Sequence, residues 1–195
     1  MNRYFLFTLA LLVFLAGCRK SKTESVANRP NVDACALITN DDVKAIQGAS
    51  VKELKGSDQS DGKFRIAQCF YNTDPFNKSV SLAVTQRDPV SPTARDPKAF
   101  WKDTFGRYEE EMGKREGDEE EKMKSLGDAD EERGRPPKKI EGVGDDAFWS
   151  ANRMGGALYV LKDNIFIRVS IGGPEPEESK IEKTKALAAK ALSRL

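Results

Sequence analysis

Two stretches of this chain alternate apolar and polar side chains with a period of two, and that pattern restricts its fold more than any other feature. Ile165, Ile167, Val169 and Ile171 form one run, and Val80, Leu82 and Val84 form the other. Successive side chains of a strand point to opposite faces, so each run has one face to bury and one to leave in water. Strands of parallel sheets, buried on both faces, read instead as continuous apolar runs, so the pattern predicts antiparallel hairpins.

Neighbouring segments extend this reading. Phe64 to Tyr71 is rich in β-favouring residues and predicts a strand, followed by a turn over Asn72 to Asn77 that contains Asp74-Pro75 and leads into Val80 to Thr85. Ala157 to Leu161 is expected to pair with Ile165 to Ile171 across the tight connection Lys162-Asp163-Asn164, after Ala147-Phe148-Trp149 and a turn over Asn152 to Gly156. Val51 to Leu54 is expected as a brief strand and Gly56 to Gly62 as a polar turn.

Helix signals fall between these strands. Thr39 and Asp42 have the spacing of a capping box, Ile38 and Val43 that of a hydrophobic staple, and Gly48 is placed to end the short helix that follows. Asp96-Pro97 opens a second helix, with Asp as cap and Pro in the first turn, and Trp101, Thr104, Phe105, Tyr108 and Met112 recur on one side of it. Such aromatic stripes pack into cores more often than they hold ligands; the functional alternative is a binding surface at Trp101, Phe105 and Tyr108. A final helix carries Ile181, Ala188, Ala191, Leu192 and Leu195 as an apolar stripe, with acids before it and Lys190 and Arg194 at its end to suit the helix dipole. The class that follows is α+β: an antiparallel β-sheet with helices packed on one face. The two halves echo each other weakly, which suggests two strand-strand-helix units.

Charge divides the domain. From about Gly113 to Lys139 the chain is a run of charges punctuated by Gly117, Gly127, Gly134 and Pro136-Pro137, and such a segment cannot bury enough apolar surface to order itself. Acids and bases are intermixed there, which favours a solvated, flexible insertion over an acidic binding loop. Over the whole chain 32 Lys and Arg face 31 Asp and Glu, a balance that implies no basic surface for nucleic acid.

The amino end fixes an address. Arg3 precedes the apolar run Tyr4 to Phe14, too short to span a bilayer, and Leu15-Ala16-Gly17-Cys18 follows. This tetrapeptide resembles the lipobox of bacterial lipoproteins. The resemblance implies that residues 1–17 are removed as a signal peptide, that the Cys18 thiol takes a diacylglyceryl group, and that acylation (palmitate among the chains) anchors the mature protein in a membrane. Two or three acyl chains exceed the marginal hold of one. Arg19, in place of an aspartate, resembles the sorting signal for the outer membrane of a two-membrane envelope. Residues 18–33 are polar and small and read as a flexible tether holding the domain roughly 20 Å from the lipid, ahead of a single domain over 34–195.

With Cys18 consumed, Cys35 and Cys69 have each other as their one available partner. Export to an oxidising compartment favours a disulfide, worth roughly 3 to 4 kcal/mol on the chain-entropy model; two separate buried thiols are the alternative.

A broader resemblance rests on Asp33-Ala34-Cys35-Ala36-Leu37, Asp42-Val43, Gly48, Cys69, Tyr71, Gly142-Val143-Gly144-Asp145-Asp146-Ala147, Leu158-Tyr159-Val160 and Ala186-Leu187-Ala188. Together these are similar to an uncharacterised family of bacterial lipoproteins, best known from actinobacteria, that carries a domain of unknown function. The resemblance supports the disulfide and the fold, and it implies no reaction, cofactor or catalytic residue. The charged insertion departs from it.

Chemistry-bearing patterns are sparse. The chain contains no histidine, the commonest general base and transition-metal ligand. No phosphate loop or dinucleotide fingerprint occurs. Gly142-Val143-Gly144-Asp145-Asp146 sets two carboxylates beside glycines but lacks the spacing of a calcium loop, so it reads as a turn whose aspartates cap or solvate a strand. No catalytic residue, cofactor or metal site is expected. The expected function is a non-enzymatic, membrane-tethered interaction domain that binds an envelope protein or polymer at the cell membrane or outer membrane, facing periplasm or exterior. The alternative is a carrier or sensor of a small apolar ligand, such as a lipid, held between the sheet and the Trp101, Phe105, Tyr108 stripe.

Overall fold

The computed structural model describes residues 31–115, 135–152 and 155–195, with side chains described over 31–108, 135–151 and 155–195. The leader, Cys18, most of the tether and residues 116–134 of the charged segment lie outside the described residues.

The elements run in the order α1 (Ala34–Leu37), α2 (Asn40–Gln47), β1 (Ser50–Ser60), β2 (Phe64–Asp74), a short 3-10 turn (Phe76–Lys78), β3 (Val80–Arg87), α3 (Pro97–Arg115), β4 (Lys138–Lys139), β5 (Asp146–Asn152), β6 (Gly155–Lys162), β7 (Ile165–Ile171) and α4 (Glu177–Leu192). The strands form one sheet in the order β1-β2-β3-β7-β6-β5-β4. Every pairing in it is antiparallel. This is the α+β class the alternating runs imply. Connectivity repeats as β1-β2-β3-α3 and β5-β6-β7-α4, joined where β3 pairs with β7.

One face of the sheet carries the aliphatic core. Leu82, Val84, Leu158, Val160, Ile167 and Val169 are fully buried there, against Leu37, Ile38 and Val43 from α1 and α2 and Leu187, Ala188 and Ala191 from α4. Thus α1, α2 and α4 cover this face. The fourth helix, α3, lies on the other: Trp101 and Phe105 pack with Phe148 and Leu161, whose strand neighbours Ala147, Trp149 and Val160 point into the aliphatic core. The reason is in β5, β6 and β7, where Phe148, Tyr159, Leu161 and Phe166 put large rings and an aliphatic chain at the positions a one-sided sheet would leave polar. A second apolar layer needs its own cover, and the aromatic stripe of α3 supplies it.

Local signals account for the element ends. The Thr39 hydroxyl accepts from the Asp42 N–H at 3.1 Å while Asp42 Oδ2 accepts from the Thr39 N–H at 3.0 Å, closing the capping box, and Gly48 ends α2 in the left-handed region at φ 66°. The single turn of α1 lies where the sequence predicts no helix, and Asp33, which reads as the end of the tether, caps it by accepting from the Cys35 N–H at 2.9 Å. Leu195, expected on the apolar stripe of the last helix, lies beyond α4 and is exposed.

Two boundaries differ from expectation. β1 extends to Ser60, through the glycine-containing stretch that reads as a turn, because it ladders onto β2 from Ser50↔Asp74 to Ser60↔Arg65, broken by a register shift between Val51 and Glu53. It is an edge strand whose side chains beyond Val51 are exposed, so no hydrophobic alternation marks it. The reversal is narrower, at Asp61 to Lys63, where Asp61 Oδ1 accepts from the N–H groups of Lys63 and Phe64 at 2.8 and 2.7 Å. The charged segment is also shorter at both ends: α3 continues to Arg115, and Lys138–Lys139 pairs with β5 as β4. Between β5 and β6 the pairing runs to Asn152↔Gly155, inside the stretch expected as a turn.

Cys35 and Cys69 are joined, with an S–S distance of 2.03 Å, tying α1 to β2. Among the described residues no helix is long and apolar enough to cross a membrane.

Candidate functional site

The site is built on α3 and the sheet face beneath it. Helix α3 is fixed at its amino end by Asp96, which accepts from the Ala99 N–H at 2.8 Å and from the Asn164 side-chain amide at 3.0 Å; the Asn164 carbonyl in turn accepts from the Lys98 N–H at 3.1 Å. The β6–β7 turn therefore sets where α3 starts. Once it starts there, helical spacing puts Trp101 against Phe148 and Phe166, Phe105 against Phe148 and Tyr159, and Tyr108 one turn further along the same side.

Of the three residues nominated from sequence, two are chiefly structural. Trp101 is 3% exposed and Phe105 7%. Phe105 lies parallel to Phe148 with ring centroids 4.9 Å apart, and Trp101 stands 4.5 Å from Phe105 and 6.1 Å from Phe166. The Trp101 indole N–H donates to Asp146 Oδ2 at 2.7 Å, and Lys139 Nζ lies 2.5 Å from the other oxygen of that carboxylate while capping the Phe148 ring at 4.8 Å. Phe100 adds a stacked contact to Phe166 and a tilted one to Phe64, with the Arg95 guanidinium 5.1 Å from its ring. Tyr108 is half-buried, and its ring carries the Arg107 guanidinium at 4.6 Å.

Beside this layer the rings stop short of closing. A cavity of about 390 Å³ lies between α3 and the sheet, walled by Phe100, Trp101, Phe105, Tyr108, Tyr159 and Phe166. Thr104, Arg107, Pro137 and Ser150 complete its lining. Its volume is in the range of small-molecule sites, and its balance of apolar wall with a few polar groups is what such sites show. The structure thus brings the three nominated residues together around one cavity and adds Tyr159, Phe166 and Ser150, which sequence reading missed. Their signal was present: aromatic rings at positions alternate to the buried Leu158, Val160, Ile165 and Ile167 cannot all be left in water.

The paired aspartates are drawn apart. Asp145 Oδ1 accepts from Lys162 Nζ at 2.8 Å and Oδ2 from the Asp163 N–H at 2.6 Å, holding the β6–β7 turn, and the Lys162 hydrogen bond keeps the Asp145 carboxyl below its usual pKa. Asp146 points to the α3 side, toward Trp101 and Lys139. Both are committed to structural bonds, in line with a turn that solvates and caps.

No protein-family model matches the chain, and no curated protein does. Among solved structures it is similar to the crystal structure of a GTP-binding regulator from Thermotoga maritima, with a TM-score of 0.38 and 12% identity over 78% of this chain and 87% of that one. A likeness this distant carries no functional argument.

Proposed function

We propose that this is a lipid-anchored envelope protein whose domain is a non-enzymatic carrier or sensor, holding a small apolar ligand in the cavity under α3. The observation that supports it best is that cavity, with its aromatic walls. The anchoring half of the reading rests on the lipobox resemblance at Leu15-Ala16-Gly17-Cys18, and a paired Cys35 and Cys69 suits an oxidising compartment. The resemblance to the uncharacterised lipoprotein family belongs to the same reading.

Native mass spectrometry of the full chain, extracted from membranes in mild detergent, tests the carrier. A co-purifying small molecule at near-unit occupancy is the expected result; a consistently bare protein that also takes up no added apolar probe would overturn it. Labelling with an alkyne analogue of palmitate checks the anchor: wild type incorporates label into the membrane fraction, and Cys18→Ala incorporates none.

A second reading, engagement of an envelope protein or polymer, is favoured by one observation. β1 is a sheet edge eleven residues long with its outer side unpaired among the described residues. Its exposed Lys52, Glu53, Lys55 and Asp58 are the charges that discourage indiscriminate pairing at an edge. Proximity labelling from the anchored protein separates the readings, since a reproducible neighbour lost on altering β1 supports the second.

A further inference from the structure

Tyr159 and Phe166 in the cavity wall share their face of the sheet with Arg168, which stands two positions beyond Phe166 on β7 and directly across from Tyr159 on β6. Its Nε donates to the Tyr159 hydroxyl at 3.2 Å and its Nη1 to the Ser170 hydroxyl at 3.4 Å. Arg168 is half-buried, and among the described residues no carboxylate lies within ion-pair distance of it. Its other cross-strand neighbour is Ala83, on β3. A guanidinium partly withdrawn from water usually recovers the lost hydration from an anion, and here the described residues provide two hydroxyls and the Tyr159 ring, 5.8 Å from the guanidinium carbon, but no anion.

Among the described lining residues Arg107 is the one charged side chain; it donates to the Tyr108 hydroxyl at 2.6 Å. Asp146, which accepts from the Trp101 indole, is paired with Lys139. Arg168 is not itself in the lining, but it bonds the hydroxyl of Tyr159, which is, so a molecule seated among the rings with an anionic end directed past Tyr159 would meet its guanidinium. A guanidinium receives a carboxylate or phosphate with short, charge-assisted hydrogen bonds.

Building on the carrier reading, we infer that the ligand is an amphipathic anion: an aromatic or alkyl body among the rings of Phe100, Phe105 and Phe166, and a carboxylate or phosphate head on Arg168 beside the Tyr159 hydroxyl. Arg168 sets specificity for charge, and the rings supply the affinity common to charged and neutral ligands.

Isothermal titration calorimetry on the full-length protein in detergent, with matching detergent blanks, compares acids with their uncharged amides: 1-naphthoate against 1-naphthamide, and dodecanoate against dodecanamide. The expected result is about tenfold tighter binding of the acid in at least one pair, the ring pair marking a soluble aromatic acid and the chain pair a lipid-derived one. Arg168→Gln is expected to abolish the preference while leaving the amide affinity unchanged, and Arg168→Lys to retain much of it. Equal binding of acid and amide would sink the inference and leave the carrier reading standing, whereas no binding of either would remove the carrier reading itself. A preference lost in Arg107→Gln but kept in Arg168→Gln also overturns the assignment.

Discussion

Asp42 does three jobs with one carboxylate. It closes the box with Thr39 at the start of α2, and its Oδ2 accepts from Arg194 Nη1 at 2.7 Å, bringing in the end of α4; Lys190 lies 3.8 Å from its Oδ1. Burial pushes its pKa upward, but the Thr39 N–H, the Arg194 guanidinium and the Thr39 hydroxyl outweigh burial and hold the group at about 2. A carboxyl depressed in the folded state contributes stability above its unfolded pKa and loses it as pH falls through the folded one. Chemical denaturation should therefore show stability declining from about pH 4 to pH 2, with a shallower decline in Asp42→Asn, which also loses about 1 kcal/mol at neutral pH from the weakened cap. An unchanged pH profile in that variant would contradict the assignment. Tyr71 illustrates the opposite shift: it is fully buried, donates to the Ala34 carbonyl at 3.2 Å, and burial raises its pKa to about 12. Thr39 and Asp42 advertise their bond at short range in the sequence. Nothing local in it tells that Arg194 completes the group.

At the scale of elements, the β5–β6 pair depends on close approach. A Cβ on Gly156 would lie 2.4 Å from Trp149 Cζ2, so the indole of β5 occupies the space over β6 that any other residue would fill. Gly144 is constrained twice, by φ 64° and by the Leu161 carbonyl, 2.5 Å from where its Cβ would stand. Gly156→Ala is expected to cost about 1 to 3 kcal/mol, the usual penalty of overpacking, and to weaken the tryptophan signal in near-UV circular dichroism. Urea titration measures the first, and an unperturbed midpoint would show that Trp149 moves aside freely. The same scale explains the misplaced boundaries. β1 is a strand because β2 offers it a ladder, so its own sequence, polar and exposed, carries no period. β4 is held by Lys139, whose ammonium both caps Phe148 and pairs with Asp146, a tertiary reason for order inside a charged run.

Across the whole molecule, two cores of different character share one sheet. The first is largely aliphatic and covered by three helices; the second is aromatic, is covered among the described residues by α3, and borders the cavity. Flat rings joined by tilted contacts leave gaps that branched aliphatic side chains fill more readily, so the functional candidate lies in the layer least able to close on itself. The disulfide acts at this scale too, joining residues separated by 34 positions and fixing α1 over the first half of the sheet. Cys35→Ser with Cys69→Ser is expected to lower unfolding free energy by about 3 kcal/mol on the chain-entropy model, measured by urea denaturation. Reduction of the wild type should reproduce that loss, and a reduced protein as stable as the oxidised one would show the link to be incidental.

The sequence alone determined whatever depends on neighbours in the chain. The period-two runs specified antiparallel strands, the capping box and Gly48 bounded α2, Asp96-Pro97 opened α3, and the aromatic spacing put Trp101, Phe105 and Tyr108 on one side of a helix. Tertiary structure decided which face of the sheet that side meets, that β1 is long, that Tyr159 and Phe166 stand next to it, and that Arg168 stands beside Tyr159. A strand's alternation states that its two faces differ. Which helix covers each face is settled only when the competing apolar surfaces are buried together, because burial energy depends on area removed from water and not on position along the chain.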